Sequence, residues 1–148
     1  IKFLITNNHI IDEYFLENEN KLVYSISEIK YGENKEIFKE INLKKYKYKL
    51  INEELDFTII KILKDDNINN YLKNNKDLYK ENDKIFSYQY PREEKLKYSR
   101  NIIEKEGNYL KYDVGSDECS SGSPIIVMKN LKVIGLHKGS LDNNPINL

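Results

Sequence analysis

The sequence predicts an all-β fold, a β-barrel or a β-sandwich, from three observations. Apolar runs are short, many of them alternate with polar residues, and turn-forming residues recur at intervals of about 8–12 residues. A chain of 148 residues is long enough for one domain with a hydrophobic core. Because no internal repeat and no Pro/Gly-rich linker interrupts it, we expect a single domain over residues 1–148.

The first half of the chain contains four segments with strand character. A short apolar strand over residues 2–5 leads into a turn that contains His9. The segment 21–29 alternates loosely, and the segment 37–50 alternates over its second half. A denser apolar run covers 57–63, which is typical of a strand with a buried face.

The second half begins with a long connection and continues with a strand and two hairpins. The stretch 65–82, rich in Asn, Asp and Lys, is interpreted as a connection that contains a helical turn. A strand over 84–90 ends at Pro91, which has no N–H to donate to a strand ladder. The two hairpins pair the segments 96–104 with 109–114, through a turn at 106–108, and 125–128 with 133–137.

The composition excludes several classes of function. The 24 basic and 24 acidic side chains balance, which gives no argument for a nucleic-acid partner. No apolar run approaches the roughly 18 residues of a membrane span, so we expect no membrane partner. The single cysteine, together with the absence of an N-glycosylation sequon and of a visible signal peptide, favours the cytoplasm. We expect no cofactor and no metal, because two histidines and one cysteine at these spacings do not form a ligand set.

Three polar residues at the ends of apolar runs are candidates for nucleophilic catalysis. Ser121 lies in a Ser/Gly turn before an apolar strand, His9 follows the first strand, and Asp56 precedes the run at 57–63. A serine hydroxyl is a weak nucleophile unless a base and an orienting carboxylate are near it. Taken singly, each residue has a structural interpretation: a core histidine, a turn cap and a turn hydroxyl. Taken together, in the order His, Asp, Ser, they indicate a catalytic triad.

The segments around these residues resemble a known family. FLITNNHIID, LDFTIIKI, CSSGSPIIV and VIGLHKGS are similar to segments of the trypsin-like (chymotrypsin-fold) serine peptidases, and especially of the disulfide-free glutamyl endopeptidases of bacteria. With YQYP and LKYDV the resemblance covers most of residues 3–140. It implies two antiparallel six-stranded β-barrels, one containing residues 1–75 and the other 76–148, with the active site between them. It also implies that the N-terminal barrel is incomplete here, with its first strands preceding Ile1 and a closing element following Leu148.

The resemblance implies a serine endopeptidase that acts on a polypeptide through an acyl-enzyme. It assigns His9 as general base, Asp56 as the residue that orients it, and Ser121 as nucleophile. The backbone N–H groups of Cys119 and Ser121 would form the oxyanion hole. Family members usually have glycine at the position of Cys119, which leaves open a weakly active or inactive domain that serves as a binding or sensor module. A peptidase that uses Cys119 as its nucleophile is a third alternative.

The resemblance also implies a specificity pocket. His137 corresponds to a histidine that contacts the substrate side chain before the scissile bond (P1), and Ser116 has the spacing of an assisting hydroxyl five residues before Ser121. Gly139 belongs to the same pocket-lining segment. An imidazole and a hydroxyl favour Glu or Gln at P1. The structural alternative for His137 is a surface histidine on a strand.

Overall fold

The computed structural model describes residues 1–30, 33–45, 49–75, 83–89, 97–112 and 120–139. Over these residues the chain forms ten strands and one short helix, with 3-10 turns at Leu43–Lys45 and Lys64–Asp66. In chain order they are β1 (Lys2–Thr6), α1 (Glu13–Asn18), β2 (Lys21–Lys30), β3 (Glu33–Asn42), β4 (Lys49–Asn52), β5 (Phe57–Ile62), β6 (Lys84–Gln89), β7 (Lys97–Glu106), β8 (Tyr109–Tyr112), β9 (Pro124–Val127) and β10 (Lys132–Leu136).

The strands form antiparallel sheets in each half of the chain, which confirms the predicted fold class. The first half contains a three-stranded sheet, in the order β1-β5-β4, and the hairpin β2-β3. The second half contains a five-stranded sheet, in the order β10-β9-β6-β7-β8. The described residues thus supply five strands to each half, where the prediction has six in each barrel. The division into barrel portions at residue 75 stays a prediction.

Each half has its own hydrophobic cluster. In β5 every second side chain is buried, so one face of the strand lies against the N-terminal cluster. The buried members of that cluster are Ile11, Ile41, Leu43, Ile60 and Ile62. The buried members of the C-terminal cluster are Ile85, Tyr112, Ile125 and Val127.

The alternating segment 37–50 is not one strand, so that prediction is wrong. β3 ends at Asn42, whose Oδ1 accepts the Lys44 N–H at 3.0 Å and closes a turn. Leu43 follows in the 3-10 turn, buried in the N-terminal cluster, and its N–H donates to the Asn20 carbonyl at 2.9 Å. The turn at Asn42 and the burial of Leu43 outweigh the alternation, most of which falls on residues 46–48, outside the described residues.

The six-residue helix α1 directly after the His9 turn was not predicted from sequence. Asp12 caps it: its Oδ1 accepts the Phe15 N–H at 2.7 Å. Phe15 and Leu16 pack against the N-terminal cluster, which stabilises a helix too short to be stable alone. The signal available in the sequence was an Asp at the N-cap followed by Glu13. No helix in the described part of the chain is long and apolar enough to cross a membrane.

The connection at 65–82 begins with a helical turn, as predicted, and then joins the C-terminal sheet. The turn covers Lys64–Asp66. Further on, Val133 of β10 donates its N–H to the Lys73 carbonyl at 2.8 Å and accepts the Asn75 N–H at 2.7 Å. Residues 76–82 lie outside the described part of the chain. The connection therefore contacts the edge of the second sheet before β6 begins.

Candidate active site

Strand pairing brings the histidine and aspartate regions together. β1 and β5 are antiparallel, and Thr6 at the end of β1 is paired with Thr58 near the start of β5. Residues that follow Thr6 must therefore lie beside residues that precede Thr58. For this reason His9 and Asp56, 47 positions apart in the chain, become neighbours.

Asp56 holds His9 through both of its carboxylate oxygens. Oδ2 lies 2.8 Å from His9 Nδ1, and Oδ1 accepts the His9 backbone N–H at 2.9 Å. The Asp56 side chain is 10% exposed and that of His9 46%. Because an ionised carboxylate can only accept, the Nδ1 atom carries the ring proton. In the neutral imidazole this leaves Nε2 as the basic atom.

The backbone around Asp56 is shaped for this contact. Leu55 donates its N–H to Asn52 Oδ1 at 2.8 Å, and Asp56 donates its own to the Glu53 carbonyl at 3.2 Å. Asp56 has φ +54°, a left-handed conformation that aspartate tolerates better than most residues. The tight turn ends just as β5 begins, so the carboxylate projects from the end of the sheet toward His9.

Ser121 lies in a turn that is tied to the segment after β10. Gly122 donates its N–H to the His137 carbonyl at 2.9 Å, and His137 donates its N–H to the Ser123 carbonyl at 2.8 Å. Gly122 has φ +85°, a value that favours glycine. The Ser121 hydroxyl donates to the Lys138 carbonyl at 3.3 Å. This bond uses the only hydroxyl proton, so Ser121 must rotate before it can donate to another base.

The serine turn abuts the strand that leads to His9. A Cβ atom added at Gly122 would lie 3.2 Å from Thr6 Oγ1 and 3.8 Å from Asn7 Oδ1. A side chain at position 122 would therefore crowd Thr6 Oγ1, which shows that the turn lies close to Thr6 and Asn7. The residues around Ser121 and those around His9 meet across the boundary between the two halves.

His137 is a buried histidine, so its interpretation as a surface residue is wrong. It is 2% exposed, and its Nδ1 lies 2.6 Å from the Tyr112 hydroxyl oxygen. Burial lowers the pKa of His137 and raises the pKa of Tyr112, since each charged form would lose its hydration. Near neutral pH the pair is therefore an uncharged imidazole against a protonated phenol.

The buried His137 makes the stability of the protein depend on pH. An unfolded histidine has a pKa near 6.5, and burial lowers that of folded His137. As the pH falls below 6.5, the unfolded chain takes up a proton that the folded chain does not, so stability decreases until the folded pKa is reached. Through His137 alone, the free energy of unfolding changes by at most about 1.4 kcal/mol per pH unit. We expect this part of the pH dependence of stability, measured by urea unfolding between about pH 7.5 and 5, to disappear in His137→Gln. If the free energy of unfolding changes with pH in parallel in both proteins, the assignment to His137 is contradicted.

Of the other predicted site residues, the structure describes only Gly139. Ser116 and Cys119 lie outside the described residues, so their roles stay predictions. Gly139 follows His137 closely, and a Cβ there would meet no atom of the described residues within 4 Å. Among the described residues, no group of three or more His, Cys, Asp or Glu side chains could hold a metal ion.

Several buried polar residues at the site were missed by sequence reasoning. Asn7 is 1% exposed and its Nδ2 donates to the Asp56 carbonyl at 3.1 Å. Gln89, also buried, accepts from the Ser120 hydroxyl at 3.5 Å, next to Ser121. Tyr112 contacts His137 across 25 positions. No local pattern distinguishes these side chains from the many other Asn, Gln and Tyr residues.

Comparison with known proteins supports the fold. No protein-family model and no curated protein matches the chain. Among solved structures, it is similar to a human pathogenic astrovirus serine protease, with 20% identity and a TM-score of 0.59 over 93% of this chain and 70% of that one. It is also similar to a catalytically inactive tobacco etch virus protease complexed with substrate, with 17% identity and a TM-score of 0.62 over 98% of this chain and 64% of that one.

A third similar structure is the tobacco vein mottling virus protease, with 13% identity and a TM-score of 0.53. It is matched over 98% of this chain and 64% of its own length. The chain thus spans between 64% and 70% of these three proteins. At such low identities the likeness concerns the fold. The chain has the chymotrypsin-like fold of these viral proteases.

Proposed function

We propose that the protein is a serine endopeptidase that uses His9, Asp56 and Ser121. The observation that carries the proposal is the contact of both Asp56 oxygens with His9, at 2.8 and 2.9 Å. A carboxylate that forms hydrogen bonds with both the ring and the backbone N–H of a half-exposed histidine fixes the tautomer and the orientation of the ring. The chymotrypsin-like fold and the serine turn that abuts Thr6 and Asn7 support the same assignment.

In the proposed mechanism Ser121 attacks the carbonyl carbon of the scissile peptide bond. His9 Nε2 takes the hydroxyl proton and later returns it to the leaving amine, while Asp56 stabilises the imidazolium. The attack requires Ser121 to leave the Lys138 carbonyl and rotate toward His9, because the two contacts compete for one proton. Catalytic hydrogen bonds are often long or misaligned before substrate binds.

The oxyanion of the tetrahedral intermediate needs two donors. We assign them to the backbone N–H groups of Cys119 and Ser121. Removing one such donor typically costs about 3–4 kcal/mol of transition-state stabilisation. The acyl-enzyme on Ser121 Oγ is then hydrolysed by water, with His9 as base for the second time.

Labelling with a fluorophosphonate probe tests the proposal directly. The probe phosphonylates a serine that an adjacent base activates, so we expect the protein to be labelled and Ser121→Ala to lose labelling entirely. Ser123→Ala is the matched control, a serine in the same turn outside the triad. A protein that is not labelled, or labelling of Ser121→Ala at the rate of the unmodified protein, would refute a Ser121 nucleophile.

A binding module without catalytic activity is the second candidate function. The observation that favours it is the bond of the Ser121 hydroxyl to the Lys138 carbonyl at 3.3 Å, which directs the proton away from His9. The cysteine at the oxyanion position is consistent with it. The labelling experiment separates the candidates: labelling that survives Ser121→Ala but is lost in Cys119→Ala indicates a cysteine nucleophile, and no labelling at all indicates a binding module.

We further propose that His137 selects glutamine, and less well glutamate, at P1. With the Tyr112 hydroxyl donating to Nδ1, the proton of the neutral ring lies on Nε2, which becomes a hydrogen-bond donor. A neutral donor suits the carbonyl oxygen of a glutamine side chain without the cost of burying a charge. Gly139, where a Cβ would meet no described atom within 4 Å, and the hydroxyl of Ser116 would complete the pocket.

A further inference from the structure

Asn7 is a buried side chain that contacts the Asp56 backbone and lies near the Ser121 turn. Its Nδ2 donates to the Asp56 carbonyl at 3.1 Å. Its Oδ1 lies 3.8 Å from the place where a Cβ of Gly122 would be. One amide group thus lies between the residue that holds His9 and the turn that presents Ser121.

The hydrogen bond from Asn7 stabilises the backbone at Asp56, which has an unusual conformation. Asp56 has the left-handed φ of +54° that directs its carboxylate to His9, a conformation uncommon in residues other than glycine. Apart from its own turn bond to the Glu53 carbonyl, the peptide at Asp56 is held by Asn7. Without the Asn7 donor, the Asp56 carbonyl would lose a buried partner and the turn would be freer to relax.

The Oδ1 end of the amide has no hydrogen-bond partner among the described residues. This atom is buried, and Asn7 as a whole is only 1% exposed. A buried, unsatisfied acceptor lowers the stability of a fold, so packing alone does not explain a polar side chain here. A leucine would avoid that cost, but it would leave the Asp56 carbonyl without its side-chain donor.

We propose that Asn7 is a positioning residue that fixes the distance between the His9–Asp56 pair and Ser121. This inference rests on the proposed peptidase function. The amide holds Asp56 by its backbone, and its Oδ1 occupies the space beside the Gly122 turn. The side chain thus lowers stability through its unsatisfied Oδ1 and, in this proposal, sets the geometry between the two halves of the site.

The test is Asn7→Leu, measured by the first-order rate of fluorophosphonate labelling of Ser121. We expect the labelling rate to fall by about 10- to 100-fold, as for a displacement of catalytic groups by about 1 Å. We expect stability in urea to change little or to decrease slightly, because the gain from removing the unsatisfied Oδ1 is opposed by the loss of the donor to the Asp56 carbonyl. The loss of labelling should appear in the first-order rate at saturating probe and not in the probe concentration at half-saturation, since Asn7 acts on the catalytic groups and not on probe binding.

Asn8→Leu is the matched control, because its neighbouring amide donates to Thr58 Oγ1 at 3.3 Å and not to Asp56. A first-order labelling rate in Asn7→Leu equal to that of the unmodified protein, or a loss confined to the probe concentration at half-saturation, would overturn the positioning role. Equal effects in Asn8→Leu would also overturn it, because they would indicate a general effect of packing near His9. If Asn7→Leu does not fold, Asn7→Ser is judged by the same two measurements. If the unmodified protein is not labelled, the peptidase function itself fails, and the positioning role with it.

Discussion

Replacing Asp56 by asparagine is expected to lower kcat for peptide hydrolysis by about 10⁴-fold, the size of the effect that this change has in a serine-protease triad. The substitution keeps the shape of the side chain but removes the charge and one acceptor. At the position of Oδ2, 2.8 Å from His9 Nδ1, an amide nitrogen would face the ring. The ring would then carry its proton on Nε2 and could no longer accept one from Ser121.

The measurement is steady-state hydrolysis of a peptide with Gln at P1, at a constant, mildly alkaline pH. The loss of kcat in Asp56→Asn should become smaller as the pH rises, because hydroxide then substitutes for His9 as the base. Asp12→Asn is the matched control: it exchanges the same groups three residues from His9, and asparagine caps a helix as well as aspartate does. A decrease of less than about tenfold in Asp56→Asn would show that the carboxylate does not orient the base.

Discrimination at P1 is expected to depend on His137. A peptide with Leu at P1 would leave the imidazole donor buried and unpaired, which costs about 1–3 kcal/mol. We therefore expect kcat/KM for the Gln peptide to exceed that for the Leu peptide by about 10- to 100-fold. In His137→Leu most of the preference should vanish or reverse, because the imidazole donor is lost and only the Ser116 hydroxyl would remain.

Tyr112→Phe tests the proposed orientation of the ring. In the proposed orientation the phenol, whose oxygen lies 2.6 Å from His137 Nδ1, donates to that atom and leaves the ring proton on Nε2 for the substrate. In Tyr112→Phe we expect part of the Gln preference to be lost, mainly through an increase in KM for the Gln peptide. Cleavage after Lys that equals or exceeds cleavage after Gln in the unmodified protein would discard the role of His137.

Local pattern predicted most of the strands correctly. β1, β5 and β9 each follow from a short apolar run bounded by polar or turn residues, and the structure confirms them within one or two residues. The pattern failed at Asn42 and Leu43, where a side-chain turn and the burial of one leucine interrupted an otherwise regular alternation. It also missed α1, because six residues carry too little periodicity to be recognised.

For the candidate site, residue type and flanking sequence indicated His9, Asp56, Ser121 and His137, because the chemistry of nucleophilic catalysis restricts which side chains can serve. The partners of these residues were decided by tertiary structure alone. The β1–β5 register brings Asp56 to His9, the C-terminal sheet buries His137 against Tyr112, and the packing of the two halves brings Asn7 to Gly122. Contacts between residues so far apart in the chain depend on strand pairing and core packing, and no short stretch of sequence contains that information.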